Sequence, residues 1–325
     1  MDMKKSKVVS LKEAMGLVED GDTIFTGGIV EDRRPVAAAM EIVRQKKKNL
    51  VLFGTCSLCD DILVGGGCVE AYRGCYTSNG AFGISPNLKR RAEAGTIVTD
   101  EIGHLDLSIG LMAAQAGVPF IASKTCIGTD VLNPAYDNLA EVSKWARDKS
   151  MLPNQKYVLM EDPFFNMGTV QLVPAIKLDV CICHVQMVGE EGTVRIDGSL
   201  TFDHFAALSA KKVIVTAEKV VPESYIRQDP NRNCIPSTSV DLVVELPWGA
   251  HPGQVYNAYD MDIPFLQEYA KSCATQEGFD KWAEAWIFNE NGHEDYINQL
   301  GASRLEKLRA KPPYGYAPRS KGGVQ

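Results

Sequence analysis

Asp22-Thr-Ile-Phe-Thr-Gly-Gly-Ile-Val-Glu-Asp-Arg-Arg-Pro35-Val-Ala-Ala-Ala-Met-Glu-Ile-Val43 reads as a strand, a turn and a helix in one short stretch. Thr23 to Thr26 have the β-branched and aromatic chemistry of a strand, and Gly27-Gly28 ends it sharply. Pro35 suits the first turn of a helix, where its missing N–H costs nothing. The apolar run from Val36 to Val43 supplies a buried helix face. Backbone N–H groups at a glycine turn and a helix start can face an anion or a developing oxyanion. Two glycines also let a ligand approach the backbone closely. The same residues fit a plain tight βα turn, and spacing alone favours that, since a Gly-Gly pair is a weak motif.

Outward from this unit, strand-like and helix-like segments alternate. Ser10 to Val18 reads as a helix with Ser10 as N-cap and Glu13 three residues on, a capping box. Asn49 to Phe53 is a buried strand ended by Gly54, Leu63 to Gly67 a turn, and Val69 to Cys75 a strand. Pro86 to Ala94 and Leu105 to Ala116 are helices, stopped by Gly95 and Gly117. Strands follow over Val118–Ala122, Val170–Val173, Leu178–Val185, Lys212–Ala217 and Ser239–Leu246, with a helical turn at Phe205–Leu208. The last third is helical: Phe265–Ala274, Phe279–Phe288 and His293–Ala310. This alternation predicts a three-layer α/β fold, a largely parallel sheet with helices on both faces, carrying a helical C-terminal extension. Residues 1–250 form the α/β domain of this reading, and 251–325 the extension packed on the same domain.

The chain has 325 residues and a net charge of −7, which argues against a nucleic-acid surface. Lys46-Lys47-Lys48 follows a predicted helix and reads as a solvated helix end. Met1 to Ser10 has no apolar signal-peptide core, and no stretch approaches a membrane-spanning length of apolar residues. The nine cysteines are an odd number, set mostly in apolar runs such as Val180-Cys-Ile-Cys-His184. They fit reduced, buried thiols in a cytoplasmic protein. The tail from Lys311 to Gln325, rich in Pro, Gly and Lys, reads as surface chain.

Several constellations invite chemistry. Cys56 and Cys59 have metal-site spacing, but six residues separate Cys68 from Cys75 and a strand lies between them, so no metal is expected. His184 sits on an apolar strand and reads as a core histidine. His251, on a turn after a strand, reads equally as turn structure or as site wall. Thr77, Ser78 and Asn79 lie in a glycine-bearing segment between a strand and a helix. They suit carboxylate recognition, and they also suit an ordinary Asn-Gly turn. Asp100 and Glu101 precede a helix and favour its dipole. No Ser-His-Asp arrangement or nucleophile elbow can be assembled.

Read together, these residues resemble the A subunits of the glutaconate CoA-transferase branch of class I CoA-transferases, over nearly the whole chain. The resemblance rests on the Gly27-Gly28 turn with Asp32-Arg33-Arg34-Pro35, Ala71-Tyr with Cys75-Tyr-Thr, Glu93-Ala-Gly95, and Gly117-Val-Pro-Phe120. It continues through Gly192-Thr-Val-Arg-Ile196, Arg227-Gln-Asp-Pro230, Gly249-Ala-His-Pro252, Asp260-Met-Asp-Ile-Pro-Phe265 and Leu300-Gly-Ala-Ser-Arg-Leu305. The C-terminal stretches are characteristic of this branch.

The resemblance implies the CoA-transferase fold and transfer of CoA between carboxylic acids by two homologous subunits, with the active site between them. A B-subunit glutamate attacks the acyl-CoA thioester and carries CoA as an enzyme thioester. In the family that glutamate follows an early strand. Here the comparable strand, Leu50 to Phe53, runs into Gly54-Thr55 and no catalytic residue is expected on this chain. Coenzyme A thioester is then a substrate, with no permanently bound cofactor. The expected partner is a homologous B subunit in a hetero-oligomer, a dimer of AB or larger. The resemblance also implies that Gly27 and Gly28 supply oxyanion or CoA-pocket backbone, and that Arg33 or Arg34 pairs with a substrate carboxylate or CoA phosphate. Thr77, Ser78, Asn79 and His251 complete the expected pocket. The runner-up is a ring-opening acyl-CoA hydrolase, since such hydrolases resemble this chain before Leu105 and use a carboxylate there, close to Glu101. A non-catalytic acyl-CoA binding protein ranks last.

Overall fold

The computed structural model describes residues 6–166 and 168–311. The first five residues and the tail beyond residue 311 lie outside this description, and so does the Cys56 side chain. The strands are β1 (Thr23–Thr26), β2 (Leu50–Cys56), β3 (Val69–Thr77), β4 (Val98–Glu101), β5 (Phe120–Ser123), β6 (Val158–Glu161), β7 (Thr169–Pro174), β8 (Leu178–Gly189), β9 (Val194–Arg195), β10 (Ala210–Val221), β11 (Asn233–Ile235) and β12 (Leu242–Glu245). The helices are α1 (Leu11–Gly16), α2 (Val36–Arg44), α3 (Leu58–Gly65), α4 (Pro86–Glu93), α5 (His104–Gln115), α6 (Leu139–Trp145), α7 (Asp203–Ser209), α8 (Glu223–Ile226), α9 (Ile263–Ser272), α10 (Gln276–Trp286), α11 (His293–Leu300) and α12 (Ala302–Leu308).

Seven strands run parallel in the order β4-β3-β2-β1-β8-β10-β12. Short β9 continues antiparallel along β8 and carries β11. The strands are buried on both faces, which is why they read as near-continuous apolar runs. Ile24, Leu52 and Ile182 point to one face, beneath α1 to α3 and the C-terminal helices. Phe25, Val51, Phe53 and Cys181 point to the other, beneath α5, α6 and α7. Phe265, Tyr269, Trp282 and Tyr296 of α9, α10 and α11 share the first of these cores. A separate three-stranded sheet, β5-β7-β6, is antiparallel.

The fold is the expected α/β architecture with a helical C-terminal region. Ser10 caps α1 as expected, its hydroxyl accepting the Glu13 N–H at 3.2 Å. Four local expectations need correction. β2 does not stop at Gly54 but runs to Cys56, and α3 then replaces the turn expected at Leu63–Gly67. Asp100 and Glu101 are not a helix preface but the end of edge strand β4. The helix expected over His293–Ala310 divides at Gly301, whose φ is +80°. β6 and α6 carry too few periodic apolar residues to stand out in the sequence.

Candidate functional site

The strand order reverses direction between β1 and β8, the place where open α/β sheets bind ligands beyond the carboxyl ends of their strands. Here that crevice is filled from within. The Gly27 N–H donates to the Ile182 carbonyl at 2.7 Å, and the Gly28 N–H to Asp203 Oδ1 at 3.0 Å. Arg33 is fully buried and donates to Asp203 Oδ2 at 3.1 Å and to the Ser199 carbonyl at 2.6 Å. A Cβ on Gly27 would stand 2.3 Å from Asp203 Oδ1, and one on Gly28, where φ is +77°, 2.3 Å from the Asp32 carbonyl. The glycines are therefore required by packing against Asp203 and the Asp32–Arg33 backbone.

Arg34 is buried as deeply. It pairs with Asp60 and donates to Thr26 Oγ1 at 2.7 Å. Both guanidinium groups are held by carboxylates of this chain, Arg33 by Asp203 and Arg34 by Asp60. Both glycine N–H groups are likewise engaged within the chain. His251 is likewise sealed in, 1 % exposed, between the Tyr296 hydroxyl at 2.6 Å and Asp262 Oδ2 at 3.1 Å. Arg304 holds Asp262 from the other side at 2.5 Å. Through these contacts His251 ties the turn after β12 to α9 and α11.

The open site lies along the same edge of the sheet, at the ends of β2, β3 and β4. The β2–β3 register slips between Gly54 and Cys56, so Cys56 faces Thr77. Such a bulge bends a strand and re-aims its side chains. The Tyr72 hydroxyl bridges the slip, 3.0 Å from the Gly54 carbonyl and 2.7 Å from that of Tyr76. Gly74 makes room for it, since a Cβ there would lie 2.1 Å from that hydroxyl. Beyond the bulge opens a cleft of about 460 Å³, walled by Tyr76, Thr77, Ile84, Lys89, Thr99 and Glu101. Thr77 and Glu101 are exposed on its rim.

Ser78 and Asn79 turn away from the cleft. The Ser78 hydroxyl sits 3.1 Å from the Gly83 carbonyl, and buried Asn79 accepts from Ser85 at 3.2 Å. Both hold the Gly80–Gly83 turn, the ordinary reading of that segment. His104, absent from the sequence expectations, brings Nδ1 within 3.6 Å of Cys75 Sγ beside the rim. Burial pushes the Cys75 thiol up to about 12, so it stays protonated and is no nucleophile at neutral pH. Only recognition of β4 as a strand would have brought His104 and Glu101 to the cleft. Its sequence Val98-Thr-Asp-Glu hides that, because Asp100 is neutralised by Arg73 at 2.8 Å and Lys156 at 2.8 Å. Burial also pushes Cys68 up to about 12 and raises Cys59.

One buried acid stands apart. Glu31, in the loop after Gly28, is a carboxylic acid only 3 % exposed, with no side-chain hydrogen-bond partner. Burial pushes it up to about 8, with Asp60 and Asp61 adding to the rise and Arg34 opposing it. At neutral pH it is a protonated acid.

The sequence matches the coenzyme A transferase family over residues 8–246. It is 39% identical over 314 residues to the A subunit of glutaconate CoA-transferase from Acidaminococcus fermentans, covering 96% of this chain and 97% of that one. It is 30% identical over 288 residues to the A subunit of 3-oxoadipate CoA-transferase from Pseudomonas knackmussii, covering 87% and 94%. A crystal structure of glutaconate coenzyme A-transferase from Acidaminococcus fermentans superposes with a TM-score of 0.90 at 38% identity, over 96% of this chain and 98% of that chain.

Proposed function

The chain belongs to the coenzyme A transferase family, and from that premise we propose that it is the A subunit of a class I CoA-transferase, active with a homologous B subunit. The observation that carries this reading is the match to A-subunit chains over almost their full length. A local feature agrees with it. The end of β2 carries Gly54-Thr55 and no carboxylate, which supports a covalent carrier of CoA on another chain.

In this reaction a glutamate of the partner attacks the acyl-CoA thioester. The carboxylate oxygen bonds to the acyl carbon, and CoA leaves as thiolate. The thiolate then attacks the glutamyl carbonyl of the mixed anhydride and releases the acyl group as a free acid. A second acid collects CoA from the enzyme thioester by the reverse steps, so no ATP is spent. The acids are glutaconate or related short acids, and the CoA thioester is a substrate rather than a bound cofactor. This chain walls the acyl and CoA side of the cleft, with the Thr77 hydroxyl and the Tyr76 ring on the substrate and Lys89 the nearby cation. Lys89 is loosely held, 3.9 Å from Glu93, and so is available to an anion.

The eight cysteines whose side chains are described are all free thiols, in keeping with a reducing cytoplasm. No described helix is long and apolar enough to cross a membrane. A ring-opening hydrolase remains the second reading because Glu101 is exposed on the cleft rim, and it has less support than the transferase.

The test is reconstitution. The purified chain should transfer no CoA between acetyl-CoA and glutaconate or a related acid, and adding the B subunit should give turnover. Transfer by this chain alone overturns the proposal.

A further inference from the structure

In the small sheet β7 packs on the body through Val170, Gln171 and Val173, and β6, its partner in the hairpin, forms the outer edge. Neighbouring residues of a strand point to opposite faces, yet all four residues of β6 are exposed. Both faces of that strand are therefore partly open to solvent. One edge of β6 pairs with β7, and the other pairs with no strand among the described residues. At the tip, Asp162 Oδ1 accepts the N–H groups of Phe164 at 2.9 Å and Phe165 at 3.3 Å. The turn places the two phenylalanines side by side, with ring centroids 6.5 Å apart. Phe164 is 83% exposed and Phe165 77%, the two highest values among the exposed large apolar residues. Val158, Leu159 and Met160 add exposed surface of their own. Two phenyl rings held in water contribute nothing to the chain's own core, and an apolar patch of this kind marks a recognition surface.

We infer that this arm is the seat of the B subunit, an inference that rests on the function proposed above. The exposed apolar side chains of the arm offer roughly 500 Å², against about 800 Å² per partner in a stable interface. Between residues 157 and 166 the only charges are Glu161 and Asp162. A charge-poor centre with aromatic anchors is the composition of an interface core. The free edge of β6 presents backbone donors and acceptors that a strand of the partner can pair.

A second copy of this chain fits less well. Two β6 edges laid antiparallel would set Leu159 against Met160, but they would carry the two phenylalanine tips to opposite ends and leave the rings in water. The arm is also rooted beside the cleft. Lys156, at its base, lies 2.8 Å from Asp100, next to Glu101. A chain gripped by the arm is therefore held next to the rim where its glutamate is needed.

The experiment measures assembly of this chain with its B subunit by size-exclusion chromatography and a binding titration. Phe164→Asp with Phe165→Asp should weaken binding at least a hundredfold while leaving the thermal midpoint of the free chain unchanged. Phe164→Leu with Phe165→Leu should restore most of the affinity, and Tyr225→Asp, on an exposed residue of α8, should leave it intact. Assembly of the double aspartate variant at wild-type affinity overturns the docking surface and leaves the proposed function standing. So does a wild-type homodimer that the same variant dissociates. Complete failure of the wild-type chain to bind the B subunit overturns both readings.

Discussion

Asp203 Oδ1 accepts the Gly28 N–H at 3.0 Å, so the turn that looks most like an anion cradle already holds an anion of its own. The other oxygen of the same carboxylate takes Arg33 at 3.1 Å, and the unit is closed to solvent. Gly28→Val should therefore destabilise the chain by several kcal/mol. A side chain there meets both a φ of +77° and the Asp32 carbonyl 2.3 Å from its Cβ. Thermal denaturation and turnover of the reconstituted enzyme should fall together. A variant that keeps its melting temperature yet loses about a hundredfold in kcat/KM would restore a catalytic role to this backbone.

Glu31 makes stability fall as pH rises from about 4.5 to about 8. Its folded-state pKa is about 8 against an ordinary 4.5. The unfolded chain therefore sheds this proton first, and the stabilisation is complete below about 4.5 and lost as pH rises through 8. The groups facing it are Arg34, Asp60 and Asp61, the last itself pushed up to about 6 by burial. Between pH 5 and 8 the melting temperature should fall more steeply for wild type than for Glu31→Gln. Equal slopes would remove Glu31 as the cause.

At the other end of the scale, acid should loosen the C-terminal helices. Loss of water around its ring pushes His293 down to about 4, and burial lowers His251 as well, against the pull of Asp262. Both stay neutral in the folded chain while the unfolded chain takes up protons below about 6.5, so stability drops as pH falls from there towards 4. Burial would raise Asp262, yet its bonds to His251 and Arg304 hold its pKa below the usual carboxylate range, which adds to the acid loss. Tryptophan fluorescence, reporting on Trp282 and Trp286, should show the acid transition of His293→Gln moved to lower pH. An unmoved transition would contradict this account.

Glu101 separates the two enzymatic readings. Glu101→Ala should retain most CoA transfer, because the nucleophile is expected on the partner. In a ring-opening hydrolase the same change should abolish turnover. Borohydride reduction after incubation with acyl-CoA, read by mass spectrometry, should place the modified glutamate on the B subunit. Modification of Glu101 would overturn the assignment.

The opening strand, turn and helix were legible because periodicity and glycine placement are local signals. α3 was not. Its Gly65-Gly66-Gly67 end reads as loop punctuation, and Asp60 and Asp61 read as surface residues. Both aspartates are fully buried, Asp60 against Arg34 and Asp61 against Asn87 at 2.8 Å and Tyr269 at 2.8 Å. Tyr269 stands 208 residues away, a distance no local pattern spans. The partners of the arginines were hidden in the same manner, since Asp203 meets Arg33 and Asp60 meets Arg34 from other segments. Thr77 and Glu101 stayed on the cleft rim because no such partner reaches them among the described residues.

The place of β1 in the sheet also dictates the order in which the chain can assemble. Its β2 edge closes early, but its other neighbour, β8, follows far along the chain, as the 156-residue span from Thr23 to Asp179 shows. At roughly 5–20 residues per second of synthesis, β1 waits on the order of ten seconds with an open, apolar edge. During that interval β1 to β4 form a half-sheet whose bare strand can pair with another nascent chain. Translation products that end before β8 should therefore aggregate or recruit chaperones, and the full sheet should be among the last parts of the molecule to resist proteolysis.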